Sequence, residues 1–424
     1  MFRLDNELRP YAWGSPTAIA GLLGRTPSGG PEAELWLGAH PDSPSRLDDG
    51  ARLDELIAQD PVHFLGQESV DRFGARLPFL MKVLAAAEPL SLQVHPSLEQ
   101  AGAGFARDEA AGVPRGSATR NYKDENHKPE MILALTPFRA LCGFRPLAEA
   151  AELFRLLAER LGTTAGREFA DRVSRLLSGE GGQLREAFRA IMDGDGGQPE
   201  AGEGLAVVVS GMEAGEGWHA PLAAAAALHA KYPGDPGVLV SLLLNLVDLE
   251  PGQAVYLPAG NVHAYLEGLG IEVMASSDNV LRGGLTPKHV DVPELLATVD
   301  FRPLPVPFLQ AAESELGERV FTPPFEEFSV QELLLSGAPA SDASHDGTVS
   351  VHQRGAAIIL VTDGSLRLDG PQGEMILERG QSAFLPDADA PVNAHPHGPE
   401  GARAFVATTG LGTGKSTRST TVEA

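Results

Sequence analysis

One frame of residues occurs twice in this chain, and it constrains the fold more than any other feature of the sequence. The first copy, Gly252–His263, follows the pattern G-x5-P-x-G-x2-H, and the second copy, Gly380–Pro391, begins 128 residues later. In both copies a glycine turn precedes a short apolar strand that ends at a proline. The repeat predicts two related β units. Only the first ends on a metal-binding side chain, because Pro391 stands where the first copy has His263.

The pattern of the first copy resembles the second sequence motif of the cupin superfamily, small antiparallel barrels that hold a metal inside. That motif usually carries an asparagine four positions after the histidine, whereas this chain has Glu267 there. The resemblance implies two cupin-type (jelly-roll) β-barrel units.

A helical block interrupts the β-rich sequence. Residues 1–145 show short strands and turns with frequent Gly and Pro, whereas Leu153, Leu157 and Leu161 begin a series with helical spacing. We therefore predict a mainly β fold with an α insertion, in which two cupin-type units are accompanied by a helical domain. The predicted domains are a catalytic metal-binding unit at 1–145 and 236–310, a helical insertion at 146–235, a degenerate cupin unit at 311–408 and a disordered tail at 409–424.

The net charge and the cysteine content indicate which partners and which cellular compartment suit the protein. A formal net charge of −24 argues against nucleic acid and anionic membranes as partners, since either needs a basic face. Cys142 is the only cysteine, so a reducing compartment fits. The first residues are charged, unlike a signal peptide, and the apolar stretch at 238–249 is too short for a bilayer. We predict a cytoplasmic protein and, because no large apolar surface patch is indicated, a monomer.

Lysine is scarce, and its positions are informative. The chain has 33 Lys and Arg residues, of which only six are lysine, and four of these lie in or beside three polar motifs: Lys82, Lys123, Lys128 and Lys288. A compact ammonium serves some sites where a planar guanidinium does not. In so acidic a chain, clustered lysines indicate a small anionic ligand, with chance clustering as the alternative.

A second group of residues indicates a metal site. Gln93 and His95 lie two apart on a predicted strand, so their side chains point to the same face. Glu130 and His263 complete a set of two imidazole nitrogens and two oxygens, which suits Zn²⁺ and leaves room for a water or a substrate oxygen. Taken singly, a strand histidine is more often a structural or surface residue, and a lone glutamate such as Glu130 is more often a solvated charge.

Longer motifs make a family resemblance specific. The chain closely resembles type I mannose-6-phosphate isomerases over most of its length. The matching segments are YAWGS (11–15), AELWLGAHP (33–41), LPFLMKVLAAAEPLSLQVHP (77–96), YKDENHKPEM (122–131), LCGFRP (141–146), YLPAGNVHAYLEG (256–268) and IEVMASSDNVLRGGLTPKHVDVPELL (271–296).

The resemblance implies roles for individual residues. One Zn²⁺ per chain is expected on Gln93, His95, Glu130 and His263, and the active-site arginine falls on Arg282. The remaining positions implied by the family are phosphate contacts at Ser91, Lys82 and Lys288, and pocket residues at His127, Lys128, Tyr265, Glu272, Asp278 and Trp13.

The resemblance also implies a reaction, the interconversion of D-mannose 6-phosphate and D-fructose 6-phosphate through a cis-enediol. A proton moves between C2 and C1, and the base remains open among Glu272, Asp278, His127 and Lys128, with Glu272 favoured. Arg282 is a permanent cation and is expected to stabilise the developing oxyanion. The product would feed mannose use and GDP-mannose synthesis.

Other interpretations fit parts of the sequence. One is a cupin that binds a sugar phosphate and a metal without turnover, and another is an iron oxygenase, which Gln93 disfavours. Individual residues also have structural alternatives. Trp13 and Tyr265 are then core aromatics, and Asp278 caps the turn before Arg282.

Overall fold

The computed structural model describes residues 1–179, 183–194, 196–215, 217–313, 318–337 and 348–412. The strands are β1 Phe2–Leu4, β2 Glu7–Arg9, β3 Glu34–Leu37, β4 Phe79–Ala86, β5 Leu92–Val94, β6 Glu130–Ala134, β7 Phe138–Phe144, β8 Leu244–Leu249, β9 Ala254–Leu257, β10 His263–Ala275, β11 Leu281–Gly284, β12 Phe308–Leu309, β13 Ala312–Glu313, β14 Glu318–Phe321, β15 Ser329–Leu335, β16 Val349–Ser350, β17 Ala357–Gly370, β18 Gly373–Glu378, β19 Ser382–Leu385, β20 Asn393–Pro396 and β21 Ala402–Thr408. The α-helices are α1 Ala18–Leu22, α2 Leu53–Gln59, α3 Pro61–Leu65, α4 Gln67–Phe73, α5 Leu98–Ala110, α6 Leu147–Arg160, α7 Thr164–Ser178, α8 Leu184–Met192, α9 Gln198–Glu203, α10 Leu205–Ser210, α11 His219–Lys231, α12 Gly237–Val240 and α13 Val292–Thr298.

The strands form two antiparallel sheets, one of 11 strands and one of 10. The first sheet follows the order β12-β9-β6-β10-β4-β3-β2, with β5, β7, β8 and β11 attached beside this path. The second follows β1-β19-β17-β21-β15-β14-β13, with β16, β18 and β20 attached. Among the described strands neither path closes into a barrel. The mainly β fold with helices is therefore confirmed, whereas the closed jelly-roll form is not seen.

Each sheet is organised around one long strand that changes partners along its length. The beginning of β10 pairs with β5 and β7, and the remainder pairs with β4 and β6. In the same way β17 pairs first with β19 and β21 and then with β18 and β20. A register shift accompanies each change, and Gly268 (φ 130°) and Gly364 (φ 63°) lie beside these shifts. The left-handed backbone favours glycine at both bends.

Alternation along the central strands separates an apolar face from a polar one. In β4, Phe79, Met81 and Val83 enter a core shared with residues of the second sheet, such as Phe384 and Phe405. The intervening side chains of β4 point to the opposite face, because successive side chains of a strand alternate. Lys82 belongs to that opposite face, and so does Glu272, which lies directly opposite it in β10. Burial of the apolar face therefore fixes the strand register, and this register brings Lys82 and Glu272 together on the polar face.

The helical insertion agrees with the predicted pattern. Leu153 and Leu157 are buried in α6, and Leu161 is buried just after it. Helices α7, α8 and α11 also lie within residues 146–235, where the helical insertion was predicted. Together with buried residues such as Val94 and Leu281, these helices form one core that reaches the strands of the first sheet.

Three features differ from the sequence predictions. Helices α1 to α5 lie within residues 1–145, where only strands and turns were predicted, and α5 begins with a capping box between Ser97 and Gln100 that is readable in the sequence. Strand β1 joins the second sheet through β19, although residues 1–145 were assigned to the first unit. Thr409 and Leu411 are buried, and Thr409 Oγ1 donates to the Arg354 carbonyl, so the predicted disordered tail does not begin at 409. Residues 413–424 lie outside the described residues.

None of the helices in the described ranges is both long and apolar enough to cross a membrane.

A buried carboxylate in the second sheet generates a stability prediction. Glu332 is almost fully buried and accepts hydrogen bonds from Arg403 (Nε 2.9 Å, Nη2 2.6 Å) and Arg319 (Nη1 2.6 Å). Arg319 also donates to the Gly252 carbonyl at 2.9 Å and so connects the two sheets. Because both arginines are partly solvated, we expect Glu332→Gln to lower the free energy of unfolding by about 2–3 kcal/mol in denaturant titrations.

The matched control is Glu159→Gln, which breaks an exposed pair with Arg155 on α6. It should change the free energy of unfolding by less than about 0.5 kcal/mol. Equal effects of the two substitutions would show that the buried arrangement adds no stability.

Candidate active site

The strand pairing brings three predicted metal ligands together. Glu130 begins β6, His263 begins β10, and His95 directly follows β5. Their ligand atoms lie within 4.8 Å of one another, and all three residues are buried. The His95 Nε2–Glu130 Oε1 distance is 3.3 Å, and the His263 Nε2–Glu130 Oε2 distance is 3.4 Å. Gln93 lies opposite both His263 and Arg282 in the strand register, so it shares their face.

The hydrogen bonds of the two histidines show which kind of ligand this group of side chains suits. His95 Nδ1 lies 2.7 Å from the Asn279 carbonyl, and His263 Nδ1 lies 3.0 Å from the Asn261 carbonyl. A carbonyl only accepts, so each Nδ1 carries the proton and each Nε2 presents a lone pair towards Glu130. Both Nε2 atoms and Glu130 Oε2 are buried without a hydrogen-bond partner in the described structure. Buried acceptors that face one another require a cation, and two imidazoles with a carboxylate fit zinc.

Burial and neighbouring charges shift the pKa values of His95 and Glu130 in the directions that favour metal binding. Burial lowers the pKa of His95 to about 4, so its imidazole is neutral at pH 7. Burial alone would raise the pKa of Glu130, but Lys128 and the histidines outweigh it and hold that pKa well below its usual range. Lys128 Nζ lies 2.9 Å from Glu130 Oε1. His95 and Glu130 are therefore in the protonation states that metal binding needs.

A second buried cluster lies on the same face of the sheet. Lys82 Nζ lies 2.9 Å from Glu272 Oε2 and 3.5 Å from Glu34 Oε1. Glu34 also accepts a hydrogen bond from Trp36 Nε1 at 2.7 Å, and the Lys82 ammonium lies 5.2 Å from the Trp36 ring centroid. Burial raises the pKa of Glu272, with Glu130 and Glu34 adding to the rise and Lys82 opposing it. Lys82 is thus held by two carboxylates inside the protein.

Two predicted pocket aromatics lie close to these groups. Tyr265 is buried, its ring packs edge-on against Phe138 at 5.3 Å, and its hydroxyl has no hydrogen-bond partner among the described residues. Burial and the neighbouring Glu272 raise its pKa well above the ordinary value. Trp13 is partly buried and packs against the same apolar cluster as Tyr265.

Asp278 is held differently from Glu272. His40 Nε2 lies 3.3 Å from Asp278 Oδ1, and Arg115 Nη2 lies 3.7 Å from Asp278 Oδ2. Burial alone would raise the pKa of Asp278, but His40 and nearby lysines lower it to about 2. A carboxylate that is so weakly basic is a poor proton acceptor.

The remaining predicted residues are spread around the metal site. Arg282 is half-buried in β11, and burial lowers its pKa. Ser91 lies just before β5, and Lys288 is exposed beyond β11. His127 has a different partner: its Nε2 lies 2.6 Å from Glu327 Oε1, and both residues line a cavity of about 160 Å³.

Sequence reasoning missed the residues that support the site. Asn279 is fully buried, and its side chain accepts from Lys123 N (2.7 Å) and donates to the Asp124 (2.7 Å) and Asn126 (2.9 Å) carbonyls. It therefore fixes the loop before β6 and presents its own carbonyl to His95. Glu34 and His40 were also missed. All three residues lie inside the family motifs given above. A polar residue within an apolar motif is the sequence signal that could have identified them.

Asn279 generates a prediction for metal affinity. Asn279→Ala should weaken zinc binding roughly 10- to 100-fold, because the loop that orients His95 loses its anchor. Competition with a chromogenic chelator measures this affinity. The control Asn393→Ala removes a side chain that accepts a hydrogen bond from Ser350 in the second sheet, and should bind zinc like the unaltered protein. Unchanged affinity in Asn279→Ala would contradict the assigned support.

Comparison with known proteins gives consistent results. The family described as phosphomannose isomerase type I, catalytic domain, matches residues 1–147. The mannose-6-phosphate isomerase of Escherichia coli K12 is 39% identical over 404 residues, covering 94% of this chain and 98% of the relative. That of Rattus norvegicus is 32% identical and covers 91% and 93%.

Solved structures agree with these relatives. A lysine-to-alanine mutant of phosphomannose isomerase from Salmonella typhimurium has a TM-score of 0.84 and 36% identity, covering 96% of this chain and 99% of the other. A mannose 6-phosphate isomerase bound with zinc and yttrium has a TM-score of 0.83 and 37% identity, covering 96% and 98%. The chain therefore belongs to the type I mannose-6-phosphate isomerase family and is an isomerase.

Proposed function

We propose that this protein interconverts D-mannose 6-phosphate and D-fructose 6-phosphate through a cis-enediol, with one zinc ion per chain. The observation that carries the proposal is the buried triangle of His95, Glu130 and His263, whose acceptor atoms face one another on the sheet that also carries Lys82 and Glu272. In metabolism the reaction would supply mannose use and GDP-mannose synthesis. A cytoplasmic location and a monomeric state stay predictions.

Four side chains would hold the metal: Gln93, His95, Glu130 and His263. Zinc, when bound there, supplies a Lewis acid for the adjacent oxygens of the open-chain sugar. Arg282 shares the face of Gln93, so its guanidinium is placed to donate hydrogen bonds to the same developing charge. Lys128 keeps Glu130 ionised, and so preserves the ligand set.

Glu272 is the base that the contacts favour. Its pKa is raised, whereas the pKa of Asp278 is lowered to about 2, so Glu272 is the stronger proton acceptor of the two carboxylates. Lys82, at 2.9 Å, fixes the orientation of the Glu272 carboxylate. In the proposed step Glu272 accepts the proton from C2 of the open-chain aldose and returns it to C1, while the hydroxyl proton on O2 passes to O1, so that the aldehyde becomes a hydroxymethyl group and C2 becomes the carbonyl. Tyr265 and Trp13 would exclude water from this transfer.

We further propose that the two sheets are related cupin-type units in open form, the second without a metal. The positive φ of Gly252 (87°) and Gly380 (84°) and the strand that starts two residues after each support a common origin. The similar partner change of β10 and β17 supports it independently. The domain division at 146, 236 and 311 remains part of this proposal.

The first test is a coupled assay of mannose 6-phosphate conversion to fructose 6-phosphate. Activity should disappear after chelation and return when zinc is restored, because the buried acceptor triangle needs a cation. Absence of turnover in fully zinc-loaded protein would contradict the proposed reaction and favour a binding protein.

The second test concerns the base. Glu272→Gln should lower kcat by about 10²- to 10⁴-fold, because the amide cannot accept the C2 proton. In the unaltered enzyme kcat should fall on the acid side, since a base must be deprotonated and the raised pKa of Glu272 moves this loss towards neutral pH. The control Glu32→Gln changes another buried carboxylate, which pairs with Arg25, and should keep kcat. Near-normal turnover of Glu272→Gln would reject the assignment.

A further inference from the structure

Strand β11 carries Arg282 and ends at a residue with unfavourable backbone geometry. Leu285, which directly follows β11, has a φ of 56°, and among the described residues it is the one residue other than glycine with a positive φ. Its side chain is buried in the core that the helical insertion shares with the first sheet. A bulky side chain is disfavoured in this left-handed conformation, which therefore persists only where neighbouring groups hold the backbone.

Asp235, the last residue of the predicted helical insertion, provides contacts of this kind. It lies between α11 and α12, and its carboxylate accepts three main-chain hydrogen bonds. Oδ1 accepts from Leu285 N at 2.9 Å and from Gly237 N at 2.7 Å, and Oδ2 accepts from Thr286 N at 3.1 Å. Hydrogen bonds to an ionised acceptor are stronger than those between neutral groups. Both oxygens of Asp235 therefore bind backbone, and they fix the residues that directly follow β11.

Close backbone packing joins the same two segments. A Cβ atom added at Gly237 would lie 2.8 Å from Leu285 N, and one added at Gly284 would lie 2.7 Å from Asp235 Oδ1. Neither position has room for a side chain. Glycine at both positions lets the segment after α11 approach the end of β11 closely enough for the Asp235 carboxylate to reach its N–H groups.

The Arg282 side chain has no comparable support of its own. Within the part of the chain that the structure describes, its guanidinium forms no hydrogen bond, ion pair or ring contact. Its orientation therefore depends on where β11 holds the backbone. Arg282 lies opposite Gln93, and the register of β11 against β5 shifts between Arg282 and Gly284. The strand is thus irregular at Arg282, and Asp235 fixes it immediately beyond that irregularity.

We propose that Asp235 is a positioning residue for the reaction, because it fixes the end of β11 and so keeps the Arg282 guanidinium on the face that carries the metal site. The inference rests on the proposed function, in which Arg282 stabilises the developing charge, and it gives the helical insertion a part in that function. A displacement of about 1 Å at a reacting group can lower a rate about 100-fold. Since Arg282 acts on charge that develops in the transition state, loss of Asp235 affects kcat more than KM.

The first test compares Asp235→Ala with Asp60→Ala in the zinc-loaded, full-length protein. Asp235→Ala should lower kcat about 10- to 100-fold while KM for mannose 6-phosphate stays within about threefold. Asp60 also accepts a main-chain hydrogen bond, from His63 N at 3.2 Å, but it precedes α3 and has no contact with β11. Asp60→Ala should therefore keep both constants.

A double substitution distinguishes positioning of Arg282 from a general loss of structure. When Arg282→Ala is already present, adding Asp235→Ala should lower kcat by less than about threefold, because the side chain that Asp235 positions is absent. If Asp235→Ala does not fold, Asp235→Asn takes its place, since the amide oxygen still accepts from Leu285 N and Gly237 N. Its loss of kcat should be smaller and should also disappear in the Arg282→Ala background.

Normal kcat in Asp235→Ala, whatever its KM, would overturn the inference. Equal losses of kcat with and without Arg282 would also overturn it, because Asp235 would then act on another part of the site. If the unaltered protein shows no turnover, the proposed function fails, and amide hydrogen exchange over residues 281–286 decides whether Asp235 holds this strand. Exchange at least about tenfold faster in Asp235→Ala than in Asp60→Ala supports that role, and equal exchange rejects it.

Discussion

The alternation of side chains along strand β10 is the constraint on which the rest of the structure depends. Ile271 and Val273 enter the core shared by the two sheets, and this burial fixes the strand register. Glu272 is then forced to the opposite face, beside Lys82. The bend near Gly268 separates this part of β10 from its beginning, where His263 lies opposite Gln93. One strand therefore carries both a proposed metal ligand, His263, and the proposed base, Glu272.

The buried and the exposed lysines around the site differ in whether they contact carboxylates. Beside the metal site, two buried lysines are matched by carboxylates: Lys128 contacts Glu130, and Lys82 lies between Glu34 and Glu272. Leaving one of these charges unpaired would be costly, so the buried groups hold one another in place. At the edge of the site Lys123 and Lys288 are exposed, and neither forms an ion pair with a carboxylate among the described residues. Charge of this kind is tolerable where solvent or a bound anion compensates it.

The family, the candidate metal group and the helices of the insertion could be recognised in the sequence because they depend on local patterns. The spacing of Gln93 and His95 and the frame ending at His263 are fixed by strand geometry and turn chemistry. The helix over residues 147–160 follows from its apolar spacing. Strand β1 could not be assigned in this way, since three residues carry no signal for a partner nearly 380 positions away. The roles of Glu34, His40 and Asn279 were also beyond local patterns, because each acts through a contact with a residue distant in sequence.

By itself the sequence determined the chemistry available to this protein: two imidazoles, a glutamine and a glutamate that suit a metal, and a few lysines that lie within motifs resembling a known family. The tertiary structure alone decided which of the described lysines form ion pairs with carboxylates and which do not. Lys82 and Lys123 are equivalent in composition, yet strand pairing places Lys82 opposite Glu272, while a loop hydrogen bond leaves the side chain of Lys123 exposed. The reason is physical. Charge pairing depends on distances of a few ångströms across strands, and these distances are set by packing, which no local pattern in the sequence records.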